Sequence, residues 1–168
     1  METKSTLGYD STADTLKHIR RVDQLLSIFA CELILRGNVH DQSKLESPEK
    51  EAFDEFTPML RTLEYGSKEY KESLAHLKVA LDHHYAHNTH HPEYYSNGID
   101  GMTLFDVIEM FADWKAASER TANGDIDKSI DLNESRFNMS PQLAQIFRNT
   151  VHFLKLKDNG FINDNIIL

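Results

Sequence analysis

Apolar residues recur at three- and four-residue steps along most of the chain, which predicts an all-α fold. The first helical pattern starts near Asp10 to Asp14 and runs to Arg36, with Ile19, Val22, Leu26, Phe29 and Leu33 in register. Gly37-Asn38 is expected to close it, because both residues accept the left-handed conformation of a helix end. His18 shares a stripe with Val22, Leu25 and Phe29 and so is expected to look inward. Ser47-Pro48-Glu49 reads as a helix start in which the acid faces the positive end of the dipole. Phe53, Phe56, Met59, Leu60 and Leu63 continue that helix, with an interruption expected at Thr57-Pro58, and no chemistry is assigned to it. Gly66-Ser67 opens a further helix that carries Leu74, Leu77, Leu81 and His84 on one face and His76, His83 and His87 on its neighbour.

Proline at 92 disfavours helix at His91, so this helix should stop near His87 or Asn88 and leave His90, His91 and Glu93 on a loop. Ser96-Asn97-Gly98 and Gly101 mark a turn-rich stretch, and Thr103 to Asp106 offers a capping start to a helix reaching about Arg120. Leu104, Val107, Ile108, Phe111 and Trp114 form its main apolar face. Asp113 falls almost opposite, among Met110, Ala116 and Ala117, as though the helix were central and apolar nearly all round. Asn123-Gly124 turns the chain, and residues 126–137 read as a short helix or an irregular arm. Ser140-Pro141 caps a last helix with Leu143, Ile146, Phe147, Thr150, Val151 and Leu154 on its packing stripe; His152 is assigned to structure. Ile166-Ile167-Leu168 is a short apolar end.

With 168 residues and no shift in composition, the chain reads as a single domain. A metal-site core is expected over about 12–120 and C-terminal packing helices over about 126–157. The net charge of -9 opposes extended nucleic acid and anionic membrane surfaces but leaves small phosphorylated ligands open as partners. The lone Cys31, set among Ile28, Phe29 and Leu33, is expected to be a small buried hydrophobe of a reducing cytoplasm. No stretch approaches the roughly 20 apolar residues that span a bilayer, so a soluble cytoplasmic protein is expected, with self-association left open.

Candidate chemistry centres on Val39-His40-Asp41-Gln42-Ser43-Lys44, which sets an imidazole beside a carboxylate with a lysine three residues on. Alone it is a weak signal whose bland reading is a solvated turn. Five of the nine histidines lie between His83 and His91, however, and imidazole suits zinc, iron, nickel and related ions. A carboxylate held among small apolar side chains, as Asp113 is expected to be, must neutralise, pair with a cation or bind a metal. Lys115 or Arg120 would be the pairing partner in the structural reading. Spacing alone decides neither between His83 and His84 nor between His90 and His91 as ligands.

In chain order, His18, His40-Asp41, His84 with His90 or His91, and Asp113 resemble the ligand set of the HD-domain superfamily of metal-dependent phosphohydrolases. His40-Asp41-Gln42-Ser43-Lys44 is similar to the superfamily's His-Asp-x-Gly-Lys form, with Ser43 where glycine is common. The likeness is closer still to a small, largely uncharacterised family of HD-like proteins of bacteria and their phages. It extends through His84-Tyr85, Asn88, His90-His91-Pro92-Glu93, Asp113 to Ala117 and Arg136-Phe137.

The resemblance implies an all-helical domain whose ligands converge on one cavity, and one or two divalent ions (Mn, Fe, Mg, Zn, Ni or Co). His18, His40, Asp41 and Asp113 would hold the first ion, Asp41 would bridge, and His84 with His90 or His91 would serve the second. Lys44 would meet a phosphate oxygen, and Glu93 would orient a ligand histidine. The implied reaction is hydrolysis of a small phosphorylated metabolite, a nucleotide or cyclic nucleotide, by metal-activated water. A di-iron oxygenase, a non-catalytic nucleotide-binding module and a purely structural metal are its rivals.

Overall fold

The computed structural model describes residues 9–60, 62–63, 67–120 and 123–158, with the side chain of Leu74 outside the description. Among them the fold is all-α: seven α-helices and three short 3₁₀ turns, with no strand. The chain divides into two units, residues 1–38 and 39–168.

The described residues of the first unit lie mainly in one helix, α1 (Thr12–Val39), in which no residue is buried. His18 and Cys31 are exposed on it, against the inward histidine and buried thiol expected from spacing. Period alone says which residues share a stripe, not whether anything covers it. The helix also runs through Gly37 and Asn38 to Val39. A glycine within a helix costs only about 1 kcal/mol, and the left-handed residue comes later, at Asp41 with φ 57°.

In the second unit, a 3₁₀ turn over Gln42–Leu45 leads to α2 (Glu49–Leu60), which continues through Pro58 instead of breaking there. The single helix expected from Gly66-Ser67 onward is two, α3 (Lys68–His76) and α4 (Lys78–His87), broken at Leu77; Gly66 lies outside the described residues. Leu77 is itself fully buried, so the break leaves its side chain on the inner face. After α4 the chain makes 3₁₀ turns at Pro92–Tyr94 and Gly98–Gly101 and enters α5 (Leu104–Ser118) through a complete Thr103/Asp106 capping box. Residues 126–137 resolve as helix α6 (Ile126–Arg136), capped by Asp125, and α7 (Pro141–Asp158) follows. The apolar end 166–168 lies outside the described residues.

The core joins α5, α6 and α7 through Met110, Phe111, Ile126, Ile130, Met139, Ala144, Phe147 and Val151. Phe111 stacks on Phe147 at 5.0 Å, and Trp114 meets Phe147 edge-on at 5.9 Å. α5 is not apolar on all sides, as the sequence suggested: Ala116 and Ala117 are exposed and Leu104 is 62% exposed. Its 110/111/114 face enters the core, and Glu109 and Asp113, one turn apart, lie on another face. The second packed layer of the unit is α2 against α4, with the Gln42–Leu45 turn touching both.

Ile130 is fully buried, whereas Ile146 on α7 is 57% exposed. Ile130→Ala should therefore cost about 2–5 kcal/mol of unfolding free energy, and Ile146→Ala no more than about 0.5 kcal/mol, read by denaturant titration.

Candidate metal centre

Three segments of the second unit bring His40, Asp41, His84, His90, His91 and Asp113 together. The left-handed backbone at Asp41 turns the chain out of α1 and places its carboxylate against the last turn of α4. Aspartate tolerates this conformation better than most residues. Asp41 Oδ1 lies 3.3 Å from His84 Nε2 and 3.5 Å from His90 Nε2, and His84 Nε2 stands 2.9 Å from His91 Nε2. Asp41 Oδ2 faces His40 Nε2 at 3.5 Å and accepts from Lys44 Nζ at 2.5 Å. Asp113, reaching in from α5, stands 3.7 Å from His40 Nε2.

Two overlapping groups have ligand atoms within 4.8 Å of one another: Asp41, His84, His90 and His91, and His40, His90 and Asp113. His18 belongs to neither; it is described with α1 alone. Both His90 and His91 take part, so the sequence's choice between them does not arise. His83 instead lies outside both groups.

Three of the four rings, His40, His84 and His90, are aimed by a carboxylate behind them. Glu49, fully buried at the start of α2, accepts from His84 Nδ1 at 2.8 Å, from His83 Nδ1 at 2.7 Å and from Ser43 Oγ at 3.0 Å. Burial pushes the Glu49 carboxyl up, but the bonds from His83 and Ser43 outweigh it and hold it below its usual range. Glu109 Oε1 takes His40 Nδ1 at 2.9 Å and lies 3.1 Å from His90 Nδ1. A proton on Nδ1 leaves the Nε2 lone pair for a metal. Glu49 and Glu109 went unnoticed in sequence. Glu49 passes there for an acid at a helix start, and the usable signal for Glu109 is its four-residue step to Asp113 on the same helix. Glu93, expected in this role, pairs instead with Arg136. Lys115, a proposed partner for Asp113, pairs with Glu119.

The loop that carries His90 and His91 is tied at both ends. Asn88 Nδ2 donates to the His84 carbonyl at 2.8 Å and to Ser43 Oγ at 2.9 Å. Tyr95 donates its hydroxyl to the buried Asp106 of the α5 cap at 3.0 Å. A side chain at Gly101 would run into Tyr95 and Asn97, so the turn closes this tightly only with glycine there.

The donor set fits a cation on two counts. Asp41 Oδ1 and His90 Nε2 are buried and make no hydrogen bond, and two such orphans side by side are costly unless something positive joins them. Two nitrogens bound to one ion at about 2.1 Å lie about 3.0 Å apart at a right angle and about 3.4 Å apart at the tetrahedral angle. The separations of 2.9, 3.3 and 3.5 Å around Asp41, His84, His90 and His91 span that range.

Protonation follows the same geometry. Asp113, opposed by burial and helped by Glu109 and Asp41, raises His40 to about 9. Burial and the neighbouring rings of His90 and His84 push His91 down to about 3, and burial together with His40 lowers His90. Burial acts to raise Asp41, but the His84 bond and the Lys44 ammonium hold it well below the usual carboxylate range. His90 and His91 are therefore neutral donors at pH 7, and His40 is the ring that must lose a proton to ligate.

Affinity for an ion held by His40 should accordingly rise with pH, by up to about tenfold per unit, and level above pH 9 as His40 deprotonates. Proton release on metal addition near pH 7, followed with an indicator dye, checks this. In the metal-free protein the sign is opposite for stability: the contribution of charged His40 is full below about pH 6.5 and is lost as the pH rises through 9. Glu109→Gln should weaken metal binding by about 10- to 100-fold, measured by competition with a chromophoric chelator. Unchanged affinity would remove Glu109 from the site.

No curated protein and no solved structure matches the chain. A family model does, over residues 8–153, most of its length. The chain belongs to that family, described as a family of unknown function (DUF5662).

Proposed function

We propose that this protein is a metal-dependent phosphohydrolase acting on a small phosphorylated metabolite, a nucleotide or cyclic nucleotide. The observation that carries the reading is the pair of overlapping donor groups that share His90, with Asp41 Oδ1 and His90 Nε2 buried and making no hydrogen bond. Asp41, His84 and His91 would hold one ion and His40 and Asp113 a second, with the single free nitrogen of His90 serving one or the other. When bound, a divalent ion supplies charge stabilisation at a phosphoryl oxygen and acidifies water at neutral pH.

The chain's own groups do the rest. Asp41 presents one oxygen to each donor group, so its position sets the spacing of both. Lys44, its side chain 31% exposed and its Nζ bonded to Asp41 Oδ2, carries the positive charge nearest Asp41 and is placed to meet a phosphate oxygen. Its seat over the Phe53 ring, 5.2 Å from the centroid, holds that charge in place.

The substrate class rests on the neighbouring surface. A depression of about 790 Å³, lined in part by Tyr85, Tyr94, Glu93 and Arg136, adjoins the site through Tyr85, whose ring lies 4.9 Å from that of His91. Aromatic faces beside acidic and basic groups suit a nucleoside more than a bare phosphate. The likeness of His40-Asp41 through Lys44, with Asp113, to HD-domain phosphohydrolases points the same way.

Phosphate release from a panel of nucleoside monophosphates and cyclic nucleotides, with added Mn²⁺ and a coupled phosphatase for the cyclic ones, tests the reading. Release should fall at least about 100-fold in Asp41→Asn. A folded, metal-loaded protein that releases nothing across the panel would sink the hydrolase. The imidazole-rich, doubled donor set equally suits two irons, so oxygen consumption by iron-loaded protein would then support a di-iron oxygenase.

A further inference from the structure

Ser43 lies in the 3₁₀ turn two residues after Asp41, and its hydroxyl joins that turn to the start of α2 and the end of α4. Oγ stands 3.0 Å from Glu49 Oε2 and 2.9 Å from Asn88 Nδ2. The same three residues surround the rear nitrogen of the His84 ring: Glu49 Oε2 lies 2.8 Å from Nδ1, Asn88 Nδ2 3.0 Å and Ser43 Oγ 3.3 Å.

The protons follow from what each atom can do. Asn88 Nδ2 lies 2.8 Å from the His84 carbonyl oxygen, which only accepts, so the nitrogen of this amide faces α4 and gives one of its two hydrogens there. The other goes to Ser43 Oγ. Glu49, buried and ionised, also only accepts, so its Oε2 takes the single hydroxyl proton of Ser43 together with the proton on His84 Nδ1. Without the hydroxyl, the second Asn88 hydrogen would have His84 Nδ1 in reach at 3.0 Å and would compete for its lone pair. A neutral ring that accepts at Nδ1 carries its proton on Nε2, the nitrogen that faces Asp41 and His91.

We propose that Ser43 is a positioning residue of the metal centre, whose hydroxyl draws the Asn88 hydrogen away from His84 Nδ1 and so keeps His84 Nε2 open to an ion. The inference rests on the reading of the inner cluster as a metal site. A hydroxyl suits this place because it accepts from an amide and donates to a carboxylate at once, and a methyl group does neither. Ser43 also ties the turn that carries Asp41 to the residues around His84, whose Nε2 lies 3.3 Å from Asp41 Oδ1. Two ligands from different segments are thereby held in one register.

The test compares the chelator-stripped full chain as wild type, Ser43→Ala and Ser43→Thr at pH 7.5, with circular dichroism to verify that all three fold alike. Zn²⁺ affinity is read by competition with a chromophoric chelator, and the ¹⁵N shifts of His84 in the metal-free protein show which ring nitrogen carries the proton. Ser43→Ala should bind Zn²⁺ at least about tenfold more weakly, and its His84 signal should move toward the form protonated on Nε2. Ser43→Thr, which keeps the hydroxyl, should restore both. Unchanged affinity in Ser43→Ala would overturn the proposal, and so would a loss of affinity with the His84 signal unmoved or with no recovery in Ser43→Thr. A wild type that binds no Zn²⁺ would sink the metal centre itself; a His84 signal that still moved in Ser43→Ala would then uphold the part of Ser43 in setting that ring.

Discussion

His84 Nε2 and His91 Nε2 face each other at 2.9 Å, close to the separation of two nitrogens that share one ion at a right angle. Beside them are a buried carboxylate oxygen and a third ring nitrogen with no hydrogen bond of their own. An arrangement of this kind is unfavourable on its own account. What sustains it is a set of bonds behind the imidazoles, from Glu49, Glu109, Ser43 and Asn88, which holds His40, His84 and His90 in place. The protein thus meets the cost of preorganisation in its fold, and a cation that enters finds its ligands already aimed.

α5 links that site to the rest of the second unit. One face carries Met110 and Phe111 into the core with α6 and α7, and another carries Glu109 and Asp113 to the histidines. Packing against Phe147 and Ile130 therefore fixes the position of the carboxylates as well as the stability of the unit. The Thr103/Asp106 cap serves the same end, because Asp106 also receives the Tyr95 hydroxyl and so ties the histidine-bearing loop to the start of α5.

Glu49 has an equivalent place on the other side. It is the first residue of α2, buried and ionised, and it spends both oxygens on histidines of adjacent positions in α4, one pointing inward and one toward solvent. A carboxylate is suited to this because it accepts from two directions at once. The dense run of histidines is therefore two sets divided by the helix: His84 with His90 and His91 inside, His83 with His87 outside.

Much of this was open to reading from the chain. Helical steps alone predict most of the elements, Pro92 ends α4 where expected, and the Thr103 to Asp106 spacing marks the start of α5, because all of these are local effects of backbone and side-chain geometry. The Leu77 and Leu81 stripe also singles out His84 as the inward ring of α4. The sequence did not show that Glu49 and Glu109 stand behind the ligands, that His90 and His91 both belong, that Lys115 and Glu93 are taken by Glu119 and Arg136, or that the chain turns at Asp41 and not at Gly37. The placing of Glu49 and Glu109 depends on which faces meet across 35 to 69 residues of intervening chain. A helical period states which side chains share a face, and only the packing of α2, α4 and α5 decides what that face meets.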